Sequence, residues 1–400
     1  MKKNLSIYLY FVLAFAITLV SCDDIVTYND NYDPGTTSYG PPQISKVSLL
    51  NDKTGSIIEG TFNQMVVIQG ENLSEVKSLL FNDQAVDIKE IYAISKEITV
   101  AIPGTVPDKI TNTITLETTK GSTTFPFSIS FPDLIVSSIS HEFAAAGDAV
   151  KIYGENFKLY NITPENGTLL VNGNPATIIT TSETELEFIL PTGVVVNSKL
   201  SMSSERLLGV IGHAVEIPYF DYGIQLTNFR SSDYLTHSST KAYATDGSNA
   251  GDPSPLIPGT YFSHFKLDNV GGWAWKNIIA GFTYRLETPE ELDVVASPNN
   301  YYLKFELYID EANAIDRTST QFIPNVSGLT TGWYPAANGN AYHTSGRWTT
   351  VTLDLATFNL EGTGPVAGDN VYNLAYISGE LTNPNLSCCN FRLAKKFDVK

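Results

Sequence analysis

Lys151-Ile152-Tyr153-Gly154-Glu155-Asn156-Phe157 has a counterpart earlier in the chain, Val67-Ile68-Gln69-Gly70-Glu71-Asn72-Leu73. Two further blocks follow each copy in the same order. Leu80-Phe81-Asn82-Asp83-Gln84-Ala85 matches Leu170-Val171-Asn172-Gly173-Asn174-Pro175-Ala176, and Ile98-Thr99-Val100-Ala101-Ile102-Pro103 matches Leu186-Glu187-Phe188-Ile189-Leu190-Pro191. Each block is a short β-rich run closed by Gly, Asn or Pro, the punctuation of strands and turns. A repeated order of blocks means tandem units, here residues 43–131 and 132–218. The turn spacing suits a sandwich of about seven strands in each. Gly70 and Gly154 read as positions of a turn or bulge. Neither unit clusters aromatics or pairs histidines with acids, so both read as spacers.

Composition points the same way. Hydrophobic residues are 42%, aromatics 11% and charged residues 17% of 400. Abundant Tyr, Phe, Thr, Ser, Asn and Gly favour strands and turns over helices, and the length suits roughly two to three domains. The net charge is −17. A chain this acidic, without a basic stretch, does not bind nucleic acid by counterion release. It suits a neutral partner and a well-solvated surface.

Outward from the repeats, the first residues read as a signal peptide, residues 1–21. Lys2 and Lys3 precede an apolar run, Leu5 to Val20, interrupted by Ser6 and Thr18. The run is too short for a confident membrane span. Its end, Leu19-Val20-Ser21-Cys22, resembles the lipobox of bacterial lipoproteins, which implies cleavage before Cys22 and lipid attachment on it. The alternative is an ordinary signal peptide that ends in cysteine. Residues 22–42 then form a lipidated cysteine and a polar, flexible tether. Asp23 and Asp24 resemble the Bacteroidota signal for the outer face of the outer membrane; an enterobacterial rule would instead read inner-membrane retention. Only Cys388 and Cys389 remain of three cysteines. Adjacent cysteines rarely bridge, so no disulfide framework and no four-ligand zinc site is expected.

Residues 219–400 differ in kind. All four tryptophans fall there: Trp273, Trp275, Trp333 and Trp348. Strand alternation continues, with Leu303, Phe305, Leu307 and Ile309 on one face and Tyr302, Lys304, Glu306 and Tyr308 on the other. Val351, Leu353 and Leu355 similarly oppose Trp348, Thr350, Thr352 and Asp354. One face of each strand is core and the other polar with aromatics. No convincing amphipathic helix is read. A jelly-roll-like sandwich is expected.

Sugar rings are apolar on their C–H faces and polar at their edges, so a sugar site needs flat aromatic platforms and hydrogen-bonding rims. Trp273 and Trp275 on a strand would share one face about 7 Å apart; packing in the core is the competing reading. Gly332-Trp333-Tyr334-Pro335 has Gly and Pro on its flanks and reads as a loop presenting both rings. Trp348 reads as structural. Arg347 is an edge donor or a solvated charge. Tyr302, Lys304 and Glu306, with Tyr308, line a concave sheet face or simply a solvated one.

The three repeated blocks resemble the IPT/TIG immunoglobulin-like domain, whose hallmarks are Gly-x-Asn-Phe/Leu, an Asn-Gly-type turn followed by Ala, and a strand closing in Pro. The whole order of parts resembles the B-type cell-surface glycan-binding lipoproteins of Bacteroidota polysaccharide-utilisation systems. Asn390-Phe391-Arg392-Leu393 looks like the final strand of their glycan-binding domain. The resemblance implies an all-β chain of tandem IPT/TIG sandwiches followed by a glycan-binding sandwich. It implies an outer-membrane anchor facing outward, and partners in a TonB-dependent transporter and a companion glycan-binding lipoprotein. It implies non-catalytic stacking on a β-glucan such as xyloglucan, mixed-linkage glucan or laminarin; no cofactor and no metal ligand is read from the residues. Trp333 and Tyr334 match the family's adjacent aromatic pair, and Trp273 and Trp275 are further candidates.

Two other classes stay open on the residues alone. A glycoside hydrolase needs two carboxylates, roughly 5 Å or 6.5–9.5 Å apart. Acidic residues are plentiful, but no local motif arranges a pair. The histidines, His141, His213, His237, His264 and His343, are scattered singly, with no HExxH and no nucleophile elbow. A structural adhesin would bury its aromatics.

Overall fold

The computed structural model describes residues 37–228, 242–358 and 364–397. The signal, Cys22 and most of the tether lie outside these residues. The chain divides into two compact units, residues 1–132 and 133–400, and both are built almost wholly from strands.

In the first unit a five-stranded antiparallel sheet contains Gln43–Leu49, Met65–Glu71 and Glu97–Ala101. A four-stranded sheet contains Val76–Phe81 and Thr113–Thr118. Val66, Ile68, Leu79, Phe81, Val100 and Leu116 fill the space between them. The second sandwich, residues 133–219, repeats the plan. There Asn174–Thr181 pairs with both Glu185–Ile189 and Thr168–Val171, joining the halves into one seven-stranded order.

The repeated motif has a physical cause. A Cβ on Gly70 would lie 1.9 Å from the Gln43 carbonyl oxygen, and one on Gly154 would lie 1.9 Å from that of Ile135. In both copies the partner strand bulges beside the glycine, so the backbones pass too closely for any side chain. Two residues on, Asn72 and Asn156 adopt left-handed backbone, which Asn tolerates better than most residues. Their amides donate back to Pro41 O (3.3 Å) and Asp133 O (2.7 Å). Leu73 and Phe157 then plunge into the cores. Asn82-Asp83 and Asn172-Gly173 make tight hairpin turns on left-handed Asn residues.

The C-terminal sandwich, from residue 220 onward, has two antiparallel sheets. The first, here termed the junction sheet, runs Ala242–Thr245, Phe262–Lys266, Asn385–Lys395, Tyr301–Tyr308, Thr349–Asp354, with Ile224–Gln225 also on Asn385–Lys395. The second, the outer sheet, runs Lys276–Leu286, Gly368–Ile377, Gln321–Val326, Leu329–Thr330. Leu303, Phe305, Leu307, Phe322, Tyr372, Leu374, Tyr376, Phe391 and Leu393 interlock between them. Cys388 and Cys389 are buried free thiols on the central strand.

The expectation of no helix in this region is corrected. Pro289–Ala296 is helical, and Glu205–Ile211 is a shorter helix in the second sandwich. Thr288 accepts from the Glu291 amide while the Glu291 side chain returns to the Thr288 amide, with Pro289 in the first turn. That reciprocal capping box starts a helix locally even though the helix is too short to show an apolar period.

Candidate functional site

The aromatic candidates are sorted by the outer sheet. Tyr372, Leu374 and Tyr376 point into the core, so Asn373, Ala375 and Ile377 point the other way. Register carries that outward face across the sheet. Ile377 pairs with Gln321, Ala375 with Ile323 and with Asn277, and Asn373 with Asn325. Trp275 lies two residues before Asn277, and its indole N–H donates to Asn277 Oδ1 at 2.8 Å, which pins the ring to the same face. At the opposite edge, Trp333 and Phe322 exchange two backbone hydrogen bonds of 2.9 Å. Tyr334 therefore falls beside Gln321, with Gly332 between them: a Cβ there would lie 2.5 Å from Gln321 Oε1 and 3.0 Å from the Tyr334 ring.

One row of the outward face thus reads Trp275, Ile377, Gln321, Tyr334, and the next reads Asn277, Ala375, Ile323, Gly332. Three interstrand steps separate the two rings, about 14 Å. Trp273 extends the row. Its ring lies over Gly379, where a Cβ would come within 2.7 Å of it. Trp273 itself sits at φ +62°, a conformation costly for a bulky residue and maintained only where the surroundings demand it. Its amide donates to Ser378 O at 2.9 Å, and the Gly272 amide to Gly379 O at 3.2 Å. Trp273 is 60% exposed, Trp275 49% and Tyr334 41%. Leu381 is exposed beside them.

Two expectations about these rings change. Trp273 and Trp275 do not lie together on a strand: Gly271-Gly272 turns the chain, and the strand begins only at Lys276. Trp333 is not presented with Tyr334. It packs into the core against Phe322 (5.2 Å between centroids), Tyr342 (5.5 Å) and Phe305 (6.2 Å). The cause is the extended edge pairing with Phe322, which sends adjacent side chains to opposite faces. Trp348 is structural, against Phe262 and Tyr308, with its N–H on Ser254 O at 2.8 Å.

The remaining candidates lie on the opposite side of the molecule. Tyr302, Lys304 and Glu306 do line one sheet face, but it is the outside of the junction sheet, and the second sandwich covers it. Lys304 and Glu306 are only 2% and 1% exposed. Lys304 Nζ donates to Glu142 Oε1 at 2.5 Å; Arg392 donates to Glu142 Oε2 at 2.7 Å and to Glu306 Oε2 at 2.9 Å. Phe143 caps the Arg392 guanidinium (5.0 Å) and Phe397 the Lys304 ammonium (4.7 Å). Tyr302 also packs on Phe397. Burial pushes the Glu142 carboxyl up, but Lys304 and Arg392 outweigh it and hold it below the usual value. Glu306 goes the other way: burial raises it, Arg392 opposes this, and the neighbouring Glu142 raises it further. Arg347 is part of the same junction, with Nη2 3.3 Å from Asp148 Oδ2 but without a well-aligned hydrogen bond. Tyr302, Lys304 and Glu306 are buried away from any ligand, and the half-exposed Arg347 is turned to Asp148. Sequence reasoning missed Glu142 and Arg392 as their partners, and missed Gln321 and Asn277 on the outward face.

Among the described residues no group of three or more His, Cys, Asp or Glu is placed to hold a metal ion, and no helix is long and apolar enough to cross a membrane.

Comparison with known proteins agrees with this architecture. Residues 220–395 match the family described as surface glycan-binding protein B xyloglucan binding domain, and residues 134–208 match the IPT/TIG domain. Among solved structures, the surface glycan-binding protein B of Prevotella bryantii aligns over 90% of this chain and 100% of its own, at 18% identity and a TM-score of 0.63. A surface glycan-binding protein B from a complex xyloglucan utilization locus in Bacteroides uniformis aligns over 88% and 99%, at 16% identity and a TM-score of 0.42. No curated protein matches the chain by sequence. Residues 134–208 are thus an IPT/TIG domain, and residues 220–395 belong to the xyloglucan binding domain family of surface glycan-binding protein B.

Proposed function

We propose that the outward face of the outer sheet binds a neutral β-glucan, such as xyloglucan or mixed-linkage glucan, by stacking on Trp273, Trp275 and Tyr334. The observation that carries this reading is their placement: three exposed rings share one sheet face while Trp333 and Trp348 are packed inside. Between Trp275 and Tyr334 the two rows hold partly exposed Asn277, Gln321 and Ile323 and buried Ala375 and Ile377, without a carboxylate. Apolar floor and amide rim suit the C–H faces and hydroxyl edges of a neutral sugar. The same lack of a flanking acid pair favours capture over hydrolysis. The span of about 14 Å suits a run of roughly three sugars lying across the strands. Isothermal titration against xyloglucan, mixed-linkage glucan and laminarin tests it, alongside reducing-sugar release. Trp275→Ala and Tyr334→Ala proteins that fold and still bind as tightly as wild type would overturn the face; released sugar would overturn non-catalytic capture.

The anchor belongs to the same proposal. The lipobox ending at Cys22 and the acidic pair behind it support lipid attachment and display on the outer face of the outer membrane, where a glycan-binding tip meets its polymer. Metabolic labelling with an alkyne fatty acid, absent from Cys22→Ala, checks the lipid; protease shaving of intact cells checks the side. A TonB-dependent transporter and a companion lipoprotein are the partners proposed on family grounds, to be sought by co-purification from native membranes.

A further inference from the structure

We propose that the second sandwich is a structural part of the glycan-binding domain rather than a detachable spacer, because Glu142 supplies the counter-charge that the junction sheet lacks. The inference does not depend on the ligand. Of the charged groups hidden where the second sandwich covers the junction sheet, the sheet itself contributes two cations, Lys304 and Arg392, and one carboxylate, Glu306. Glu142 is the fourth member and makes the cluster neutral. It reaches Lys304 and Arg392 at 2.5 and 2.7 Å, almost fully buried itself. Without it, Lys304 loses this carboxylate and a net positive charge stays out of water, a situation that costs far more than the intact pair gains.

The cluster is aimed, not merely adjacent. The loop carrying Glu142 follows the strand Ile135–Ile139 and bonds directly to the edge of the junction sheet. The Thr350 amide donates to Ser140 O at 2.8 Å and the Glu142 amide to Thr350 Oγ1 at 2.9 Å. The Thr350 hydroxyl in turn donates a hydrogen bond to Glu306 Oε1 at 3.1 Å. From behind, the Tyr219 hydroxyl donates to His141 O at 2.9 Å. These bonds share members, so a hinge motion at the junction breaks them together, and directional networks of this kind set one orientation. Phe143 and Phe397 close the cluster on both sides, which limits water that would otherwise relieve the charges.

Scanning calorimetry of the full chain tests the proposal. Residues 133–397 are expected to melt in one cooperative transition. Glu142→Gln should lower it by roughly 6 to 12 °C or split it in two. A double variant, Glu142→Met with Lys304→Met, removes one charge of each sign and should recover most of that loss. Either a Glu142→Gln protein that melts like wild type, or a double variant no better than the single one, overturns the proposal. If the variants do not fold, hydrogen exchange of the wild-type chain in rising urea decides: amides of Ala149–Glu155 and Asn385–Lys395 should open with one midpoint, and separate midpoints overturn it.

Discussion

The two outer surfaces of the C-terminal sandwich are built on the same alternating strands and do opposite things. Beneath the junction sheet, Lys304, Glu306 and Arg392 are charged and hidden. On the outer sheet, Trp273, Trp275 and Tyr334 are aromatic and open. This inverts the usual assignment of charge to water and rings to the core. The lesson is that an unusual residue on a sheet face signals a partner, and its chemistry says which kind. A buried charge needs a matching charge, and the second sandwich provides it. An exposed ring offers a flat apolar surface to a partner, and a sugar is the one proposed for it.

The sharpest way to break the comparison is to strike each face and read both stability and binding. Arg392→Met leaves Glu142 and Glu306 facing one another with Lys304 alone; a loss of about 3 to 5 kcal/mol in urea unfolding is expected. Trp333→Ala should cost about 2 to 3 kcal/mol of stability, because its ring fills core space, although part of it reaches solvent. Its glycan affinity, measured on the folded fraction, should change little. Trp275→Ala should do the reverse: an unchanged melting temperature and affinity down about tenfold or more, ~1.4 kcal/mol. If Trp333→Ala lost affinity and Trp275→Ala lost stability, the two sides would have been assigned the wrong way round.

Acid should loosen the junction and spare the rings. Burial, reinforced by Arg347, depresses His141 to about 4, against a weaker pull from Asp148. A histidine held neutral in the fold contributes stability in full above its unfolded value near 6.5 and loses it as the pH falls toward 4. Between pH 7.5 and 5.5 the unfolding free energy should drop by about 1 kcal/mol, allowing for partial solvent access. A His141→Asn chain should show a flatter pH profile. The smallest effect belongs to Arg347→Ala, within about 0.5 kcal/mol, since its pair with Asp148 is partly exposed. Glycan affinity should hold in molar salt, where exposed ion pairs are screened.

Much of this was legible before any coordinates. The repeated Gly-x-Asn blocks located two sandwiches, and strand alternation placed Leu303, Phe305 and Leu307 in the core. Alternation also identified Tyr302, Lys304 and Glu306 as a second face, but it cannot say what lies over that face. The answer stands at Glu142, 162 positions before Lys304, and pairing across such a distance leaves no periodic trace. At Trp333-Tyr334, flanking Gly and Pro masked an extended edge. The deciding contact, two backbone bonds to Phe322, has no side-chain signature. At Trp273 the preceding Gly271-Gly272 did carry the signal: paired glycines turn chains, and the strand period should begin after them.

The strand Asn385–Lys395 has one more consequence, for the order of events as the chain is made. It sits in the middle of the junction sheet, yet every strand it pairs with precedes it: Ile224–Gln225, Phe262–Lys266 and Tyr301–Tyr308. The sheet cannot close until this segment arrives: Ala242–Thr245 with Phe262–Lys266, and Tyr301–Tyr308 with Thr349–Asp354, pair without it, but only Asn385–Lys395 joins the two halves. Glu142 is then in place early, on a finished surface, before Arg392 exists to meet it. Assembly of the glycan-binding domain becomes a docking reaction onto a preformed template, and the last strand is its latch.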